Sequence, residues 1–225
     1  MKQLALVALA CTQACALGQF QTARTLPKGM TQVTVANTYV TNSNRDVQGT
    51  TLYSFPMQLE VRHGFTEQFD VAASILLQQG LLLDAKWNLM PASSHVALAL
   101  HVGAGGTVPI TAQEDNPAKS WLLHLPVGLI ASYTLGERLT PYLGAQYGAF
   151  WVFGREPSHL DPKLEYASRS WHGSGLIRLT GGLEVRAGER LAFLLEYSYL
   201  VAAVDDPGSF YSFVNSHLFG LALRI

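Results

Sequence analysis

The sequence predicts an all-β protein, a closed antiparallel up-and-down barrel of about ten strands. Three observations predict it. Large apolar residues occupy every second position in short segments from Val33 to Ile225. Charged residues in these segments fall on the other phase, and the connections between segments alternate between long and short. A period of two is typical of strands with one apolar and one polar face.

The amount of charge indicates what touches the apolar face. Only 14% of the 225 residues are charged and the net charge is -1, whereas a soluble surface is roughly a quarter or more charged. Contact with lipid explains this shortage, and the balance excludes nucleic acid or an acidic membrane as an electrostatic partner. Aromatic residues near strand ends, such as Trp87, Tyr133 and Tyr199, are typical of lipid–water boundaries. We therefore expect a transmembrane barrel.

The first residues read as an export signal. Lys2 provides the positive charge, and residues 4–10 form an apolar run that is too short to span a bilayer. Small-residue cleavage sites occur at residues 14–16 and 16–18, so the mature chain is expected to start near Leu17 or Gln19. We assign residues 1–18 to a secretory signal peptide and residues 19–31 to an N-terminal periplasmic segment.

Both cysteines, Cys11 and Cys15, lie within this leader. Simple cleavage removes them, so we expect no disulfide in the mature chain. The alternative is a lipoprotein whose modified first residue is one of the two. The preceding residues, 8–10 and 12–14, lack the Leu that such signals usually carry three positions before the cysteine.

Residues 32–225 are expected to form the barrel, and its first five strands each present an apolar face. In chain order these faces are Val33, Val35 and Tyr39; Tyr53, Phe55, Met57, Leu59 and Val61; Phe69, Val71, Ala73 and Ile75; Leu81, Leu83, Ala85, Trp87 and Leu89; and Val96, Leu98, Leu100 and Val102.

Five further strands continue the alternation in the second half of the chain. Their apolar faces are Leu123, Leu125, Val127, Leu129 and Tyr133; Leu143, Ala145, Tyr147 and Trp151; Ile177, Leu179, Leu183 and Val185; Phe193, Leu195, Tyr197 and Tyr199; and Phe219, Leu221, Leu223 and Ile225.

The connections between these strands alternate in length. Long polar segments span residues 42–52, 106–120, 153–170 and 202–211, whereas residues 63–67, 90–94, 135–138 and 187–190 are short. Only the connection at residues 78–80 is shorter than this alternation predicts. In the tight turns we expect Gly136 and Gly188 to supply the positive φ that a hairpin needs.

The polar phase collects acids and bases in similar numbers, which indicates paired charges that fill a narrow lumen. A narrow, weakly selective passage for small solutes is the alternative use of the same residues. This predicted lumen network consists of Glu60, Arg62, Asp84, Lys86, Arg178, Glu184, Arg186, Glu196 and Arg224.

From Val33 onward the chain resembles the small bacterial outer-membrane β-barrel proteins. The resemblance is carried by the alternation, by the hairpin at residues 62–70 and by the last strand. In that strand Gly220, Leu223 and Ile225 match positions of the family's C-terminal assembly signal. Leu218 and a terminal Ile depart from it, since a polar residue and an aromatic residue are usual there. The resemblance implies outer-membrane location, lipid and the assembly machinery as partners, short periplasmic turns, and long outer loops available for a surface ligand.

We therefore expect a non-enzymatic integral outer-membrane barrel, a structural element or narrow pore, with no cofactor. A membrane hydrolase acting on lipid or peptide is one alternative, based on residues 215–217 or on Asp205 and Asp206. Ser216 and His217 are consecutive strand residues, so their side chains point to opposite faces. A soluble lipocalin-like carrier of an apolar ligand is the other alternative and needs the charged face outward. The seven histidines show no short metal-ligand spacing.

Overall fold

A computed structural model describes residues 19–42, 57–76, 80–107, 119–156, 167–204 and 212–225. The described part of the chain contains ten strands. They are β1 (Thr31–Asn42), β2 (Met57–Thr66), β3 (Phe69–Leu76), β4 (Gly80–Asn88), β5 (Val96–Thr107), β6 (Lys119–Tyr133), β7 (Leu139–Glu156), β8 (Ala167–Arg186), β9 (Ala192–Val204) and β10 (Ser212–Arg224).

The strands form one closed antiparallel barrel. Each strand pairs with its neighbours in the chain, and β1 pairs with β10 to complete the circle. At this seam Val35 lies opposite Leu223 and Tyr39 lies opposite Phe219. Closure satisfies the ladder hydrogen bonds of every strand and leaves no edge exposed. The predicted fold class is confirmed.

The two faces of the wall differ as the alternation predicts. In β4, Leu81, Leu83 and Trp87 point outward and are exposed, whereas Asp84 and Lys86 point inward and are buried. Among the strand residues whose side chains the structure describes, those on the outer face carry no charge. The charged groups therefore lie inside the barrel, and the outer wall is apolar.

The two ends of the barrel differ in their connections. Residues 67–68, 89–95, 134–138 and 187–191 join strands at one end, where the chain also enters β1 and leaves β10. We call this the short-turn end. The other five connections join strands at the opposite end and lie outside the described residues. We call that the long-loop end.

Several strands extend beyond the segments that the alternation marks. The alternation of the fifth strand ends at Val102, but β5 continues through residues 103–106 to Thr107. Likewise β8 begins at Ala167, ten residues before the Ile177 at which its alternation starts. Glycine and serine add no apolar signal, so a ladder that continues through them cannot be seen in the hydrophobic pattern.

Two of the predicted turns differ from their expected form. Residues 63–66 belong to β2, with an irregular register between Gly64 and Thr66, so the turn itself is only residues 67–68. Gly136 has the expected positive φ of 62°, but Gly188 does not. The β8–β9 turn is closed by a hydrogen bond from the Ala187 N–H to the Leu191 carbonyl, and it needs no left-handed residue at Gly188.

The outer wall gives a direct prediction for Leu83. Its side chain is 53% exposed in the middle of β4, and an Arg facing hydrocarbon at this depth costs about 2–4 kcal/mol. The Leu83→Arg variant should lose that much free energy of unfolding, measured by urea titration in lipid vesicles.

The matched control is Leu135→Arg. Leu135 is also outward and 47% exposed, but it lies in the short β6–β7 turn. There the cost should be only about 0–1 kcal/mol. Equal losses for the two variants would mean that the wall does not face lipid.

Candidate functional site in the barrel lumen

The largest charged group in the lumen surrounds Arg62 of β2. Its guanidinium donates to Glu60 (3.2 Å), Asp70 (2.6 Å) and Asp84 (2.9 Å). Lys86 lies 3.6 Å from the other oxygen of Asp70. All five side chains are buried. Two cations thus hold together three carboxylates that would otherwise repel one another.

A second group surrounds Glu196 of β9. Arg178 (3.1 Å) and Ser198 (3.2 Å) donate to one of its carboxylate oxygens. The hydroxyl of Tyr142 donates to the other oxygen at 3.0 Å. The strand register explains why Tyr142 reaches Glu196. Gly182 of β8 lies opposite both residues and leaves room for the tyrosine ring.

A third group surrounds Glu184 of β8. Arg224 donates to one of its carboxylate oxygens and Arg186 to the other, the latter at 2.8 Å. Glu184 and Arg224 are buried, but the Arg186 side chain is 43% exposed. This group therefore lies where the lumen opens at the short-turn end.

The N-terminal segment, residues 19–30, enters the lumen between these groups. Residues 19–23 are buried. The backbone N–H groups of Gln19 and Phe20 donate to the two oxygens of Glu196, at 2.8 and 2.6 Å. Arg224 donates to the Phe20 carbonyl at 2.7 Å. The tip of the segment is thus bound through its backbone by two of the charged groups.

The following residues are held by the same chemistry. Lys86 donates to the carbonyls of Thr22 (3.0 Å) and Arg24 (2.7 Å). The Leu26 N–H donates to Asp70 at 3.0 Å. A polar backbone group inside a barrel must find a hydrogen-bond partner. The charged side chains of the lumen therefore pair with one another and also bind the backbone of the N-terminal segment.

The inner wall has notches that fit this segment. The Phe20 ring packs with Ala36, Tyr142, Leu194 and Ala222. It also lies over Gly220, where any side chain would collide with the ring. Phe20 adopts a positive φ of 36°, which costs a non-glycine residue about 1–2 kcal/mol. Burial of the ring offsets this backbone strain.

The Gln19 side chain is received in a similar notch. A side chain at Gly144 would collide with the Gln19 amide oxygen. The neighbouring Gln146 and Gly148 continue the same inner face of β7 toward the long loops. Gly144 and Gly148 therefore leave space on the inner face of β7, for the Gln19 side chain and the His124 ring respectively.

A layer of buried apolar side chains lines part of the lumen on the long-loop side of the charges. In each contributing strand it lies nearer the long-loop end than the inward charged or polar side chains that the structure describes there. Its members are all buried: Leu76, Leu82, Phe150, Leu176, Leu200 and Leu218. Gln58 and His124 are also buried and lie opposite Leu76 and Phe150. The ionic groups thus lie toward the short-turn end, whereas apolar and neutral polar side chains mix on the long-loop side.

A cavity of about 690 Å³ opens at the short-turn end beside the N-terminal segment. Arg24, Glu67, Arg186 and Arg190 are among its lining residues. Arg24 closes one side, since its guanidinium donates to the Ala92 carbonyl at 3.1 Å and the Ser94 carbonyl at 2.5 Å. The segment therefore occupies only part of this mouth.

The structure places the nine predicted lumen residues on the inner face, with Arg186 at its rim. Sequence reasoning left out Asp70 and Tyr142, although both lie on the polar phase of their strands, and it left the lumen without a backbone occupant. Gly220 faces the Phe20 ring, Leu223 faces outward, and the Ile225 N–H donates to the Val33 carbonyl at 2.9 Å. The assembly signal at these positions remains a prediction.

The residues proposed for hydrolysis are not assembled in the described part of the chain. His217 points outward, and its Nδ1 lies 2.7 Å from the Tyr197 hydroxyl. Asp205 and Asp206, and the side chain of Ser216, lie outside the described residues. Within the described ranges no cluster of three or more His, Cys, Asp or Glu residues could hold a metal ion, and no helix is long and apolar enough to cross a membrane.

No family model matches the chain, and no curated protein matches it. Solved structures do. The translocator domain of the autotransporter NalP from Neisseria meningitidis has a TM-score of 0.48 at 13% identity, over 98% of this chain and 96% of that one. The outer membrane protease OmpT from Escherichia coli has 0.45 at 9%, over 90% and 98%.

Neisserial surface protein A has a TM-score of 0.43 at 12% identity, over 87% of this chain and 94% of that one. These proteins are all bacterial outer-membrane β-barrels, as the sequence resemblance predicts. Similarity at this level assigns no residue role to this chain. The fold is established by the pairing of its own strands.

The ion-pair group at Arg62 should be the most sensitive part of the lumen. Arg62→Met leaves Glu60, Asp70 and Asp84 buried without their common partner, which should cost about 3–5 kcal/mol of free energy of unfolding. Arg138→Met, in the exposed β6–β7 turn, should change it by only about 0.5 kcal/mol. Equal effects in urea titrations of the two variants in vesicles would contradict the arrangement described.

Proposed function

We propose that this protein is a non-enzymatic integral outer-membrane barrel whose lumen is closed by its own N-terminal segment. Its role is structural, and the long connections at the opposite end are free to contact surface ligands. The observation that carries this proposal is the insertion of residues 19–26 among the lumen charges, with Gln19 and Phe20 bound to Glu196.

The outer wall supports membrane insertion. Leucine, valine and aromatic side chains cover it, and Leu143, Ile177 and Leu221 are each more than half exposed. A soluble protein rarely exposes an apolar surface that continues around its whole circumference. A lipocalin-like carrier would need the reverse arrangement, because Glu60 and the other buried acids would have to face water.

The contents of the lumen favour a closed barrel over one that conducts water or ions. Water or ions entering from the short-turn end would meet residues 19–23, which are buried between the charged groups of the lumen. Displacing the segment would remove the hydrogen bonds that Glu196, Asp70 and Lys86 make to its backbone, and losing a hydrogen bond to a buried charged group is costly. A conducting state would therefore need a large rearrangement.

The cell location follows from the leader and the wall together. We place the short-turn end in the periplasm and the long loops outside, because outer-membrane barrels have short periplasmic turns and longer outer loops. The N-terminal segment then enters from the periplasmic side, as expected for a chain exported through a cleaved leader. Outer-membrane lipid and the assembly machinery are its proposed partners.

Planar-bilayer recording of the refolded protein tests the closed lumen. The wild-type chain should give no discrete current steps. A variant that lacks residues 19–26 retains every strand, since β1 begins at Thr31, and should give steps because water replaces the missing segment.

The Lys28→Ala variant is the control, since Lys28 is exposed at the mouth, and it should remain silent. Heat-modifiable gel mobility confirms that each barrel is folded before recording. Discrete steps from the wild-type protein would contradict the proposal.

A further inference from the structure

Gln19 lies at one of the two predicted ends of the leader. Its backbone nitrogen is 2.8 Å from Oε1 of Glu196, and the Phe20 nitrogen is 2.6 Å from Oε2. Gln19 is 95% buried inside the barrel. A chain cleaved after Gly18 would carry its α-ammonium group at this buried carboxylate.

The charge balance of the lumen leaves a place for this ammonium. Among the described residues five carboxylates are buried inside: Glu60, Asp70, Asp84, Glu184 and Glu196. Only four side-chain cations are buried with them: Arg62, Lys86, Arg178 and Arg224. Arg186 contributes to Glu184 from a half-exposed position at the rim. Counting Arg186, cations and carboxylates are equal in number among these residues, but the fifth cation lies at the rim. A cation at Gln19 would place that balance inside the barrel, where an unpaired charge is expensive.

The carboxylate of Glu196 already accommodates a donor at the Gln19 nitrogen. The carboxylate accepts from the Gln19 and Phe20 nitrogens on one side and from Tyr142 and Arg178 on the other. A charged donor makes a shorter and stronger hydrogen bond to a carboxylate than a neutral amide does. The same nitrogen inside a longer chain would be a neutral amide with a single proton to donate.

We propose that the mature chain begins at Gln19 and that Glu196 is the binding site of its α-ammonium group. Hydrolysis of the Gly18–Gln19 peptide bond, with water as co-reactant, yields the Gly18 carboxylate and the Gln19 ammonium. Removal of the leader thereby supplies the fifth buried cation, and closure of the lumen depends on export processing. This inference rests on the closed lumen proposed above.

The first test identifies the mature N-terminus. The full chain with its own leader is produced in a Gram-negative host, extracted from the outer membrane in detergent and sequenced by N-terminal peptide mass spectrometry. The proposal expects a chain that starts at Gln19 with a free amine. A start at Leu17, a lipid-modified Cys11 or Cys15, or a cyclised Gln19 that has lost its amine would overturn it.

The second test measures reactivity of the amine in the folded barrel. With an N-hydroxysuccinimide ester in detergent, the α-amine should react at least about tenfold more slowly than in urea, because burial and the ion pair protect it. Exposed Lys28 is the internal reference and should react at similar rates in both. Equal reactivity of the α-amine in folded and unfolded protein would overturn the proposal.

Two matched variants separate Glu196 from burial alone. Glu196→Gln keeps the size and hydrogen-bonding capacity of the side chain but removes the charge, and it should restore much of the reactivity. Glu189→Gln lies in the exposed β8–β9 turn and should leave the protection unchanged. If Glu196→Gln also leaves it unchanged, Glu196 is not the ammonium site.

If Glu196→Gln fails to fold, a refolded wild-type chain that retains Leu17 and Gly18 serves instead. Its Gln19 nitrogen is a neutral amide, so its unfolding temperature should fall below that of the chain starting at Gln19. An equal unfolding temperature would overturn the proposal. These readouts are independent of conductance, since a barrel can be silent in the bilayer with any mature N-terminus.

Discussion

The constraint on which this structure depends is the low polarity of lipid. A barrel wall that faces hydrocarbon must be uncharged, so each ionic side chain that the structure describes in the strands is turned toward the lumen. There it is out of water again, and it must find an opposite charge or a polar backbone group as a partner. Arg62 with its three carboxylates, and Glu196 with its donors, are consequences of this second requirement.

The N-terminal segment is the other half of the same arrangement. Ten strands enclose more space than the inward side chains fill, and small residues such as Gly144 and Gly220 leave notches in the wall. Residues 19–26 enter that space and satisfy lumen charges through backbone groups. Phe20 has a strained positive φ, and its ring fills the notch at Gly220. Ionic pairing and filling of space thus arise from the same segment.

The sequence predicts most of the barrel wall but not the insertion of the N-terminal segment into the lumen. The phase of each strand follows from residues such as Leu83 and Asp84, because a strand must alternate. Strand ends at Gly103 to Gly106 and before Ile177 are missed, since glycine and serine do not reveal which face they occupy. The insertion of residues 19–23 is missed for another reason: their partners lie up to 204 residues away in the chain, and no local pattern records them.

Amide hydrogen exchange, followed by NMR in lipid nanodiscs, tests most directly the claim that lumen charges bind the N-terminal backbone. Phe20, Ala23 and Leu26 are the informative amides, since their N–H groups donate to Glu196, Ser132 and Asp70. We predict that these three exchange as slowly as the ladder amides of β2, such as that of Val61. If they exchange at the rate of an unstructured peptide while the β2 amides stay protected, the barrel is stable without its bound N-terminal segment. That result would contradict the claim.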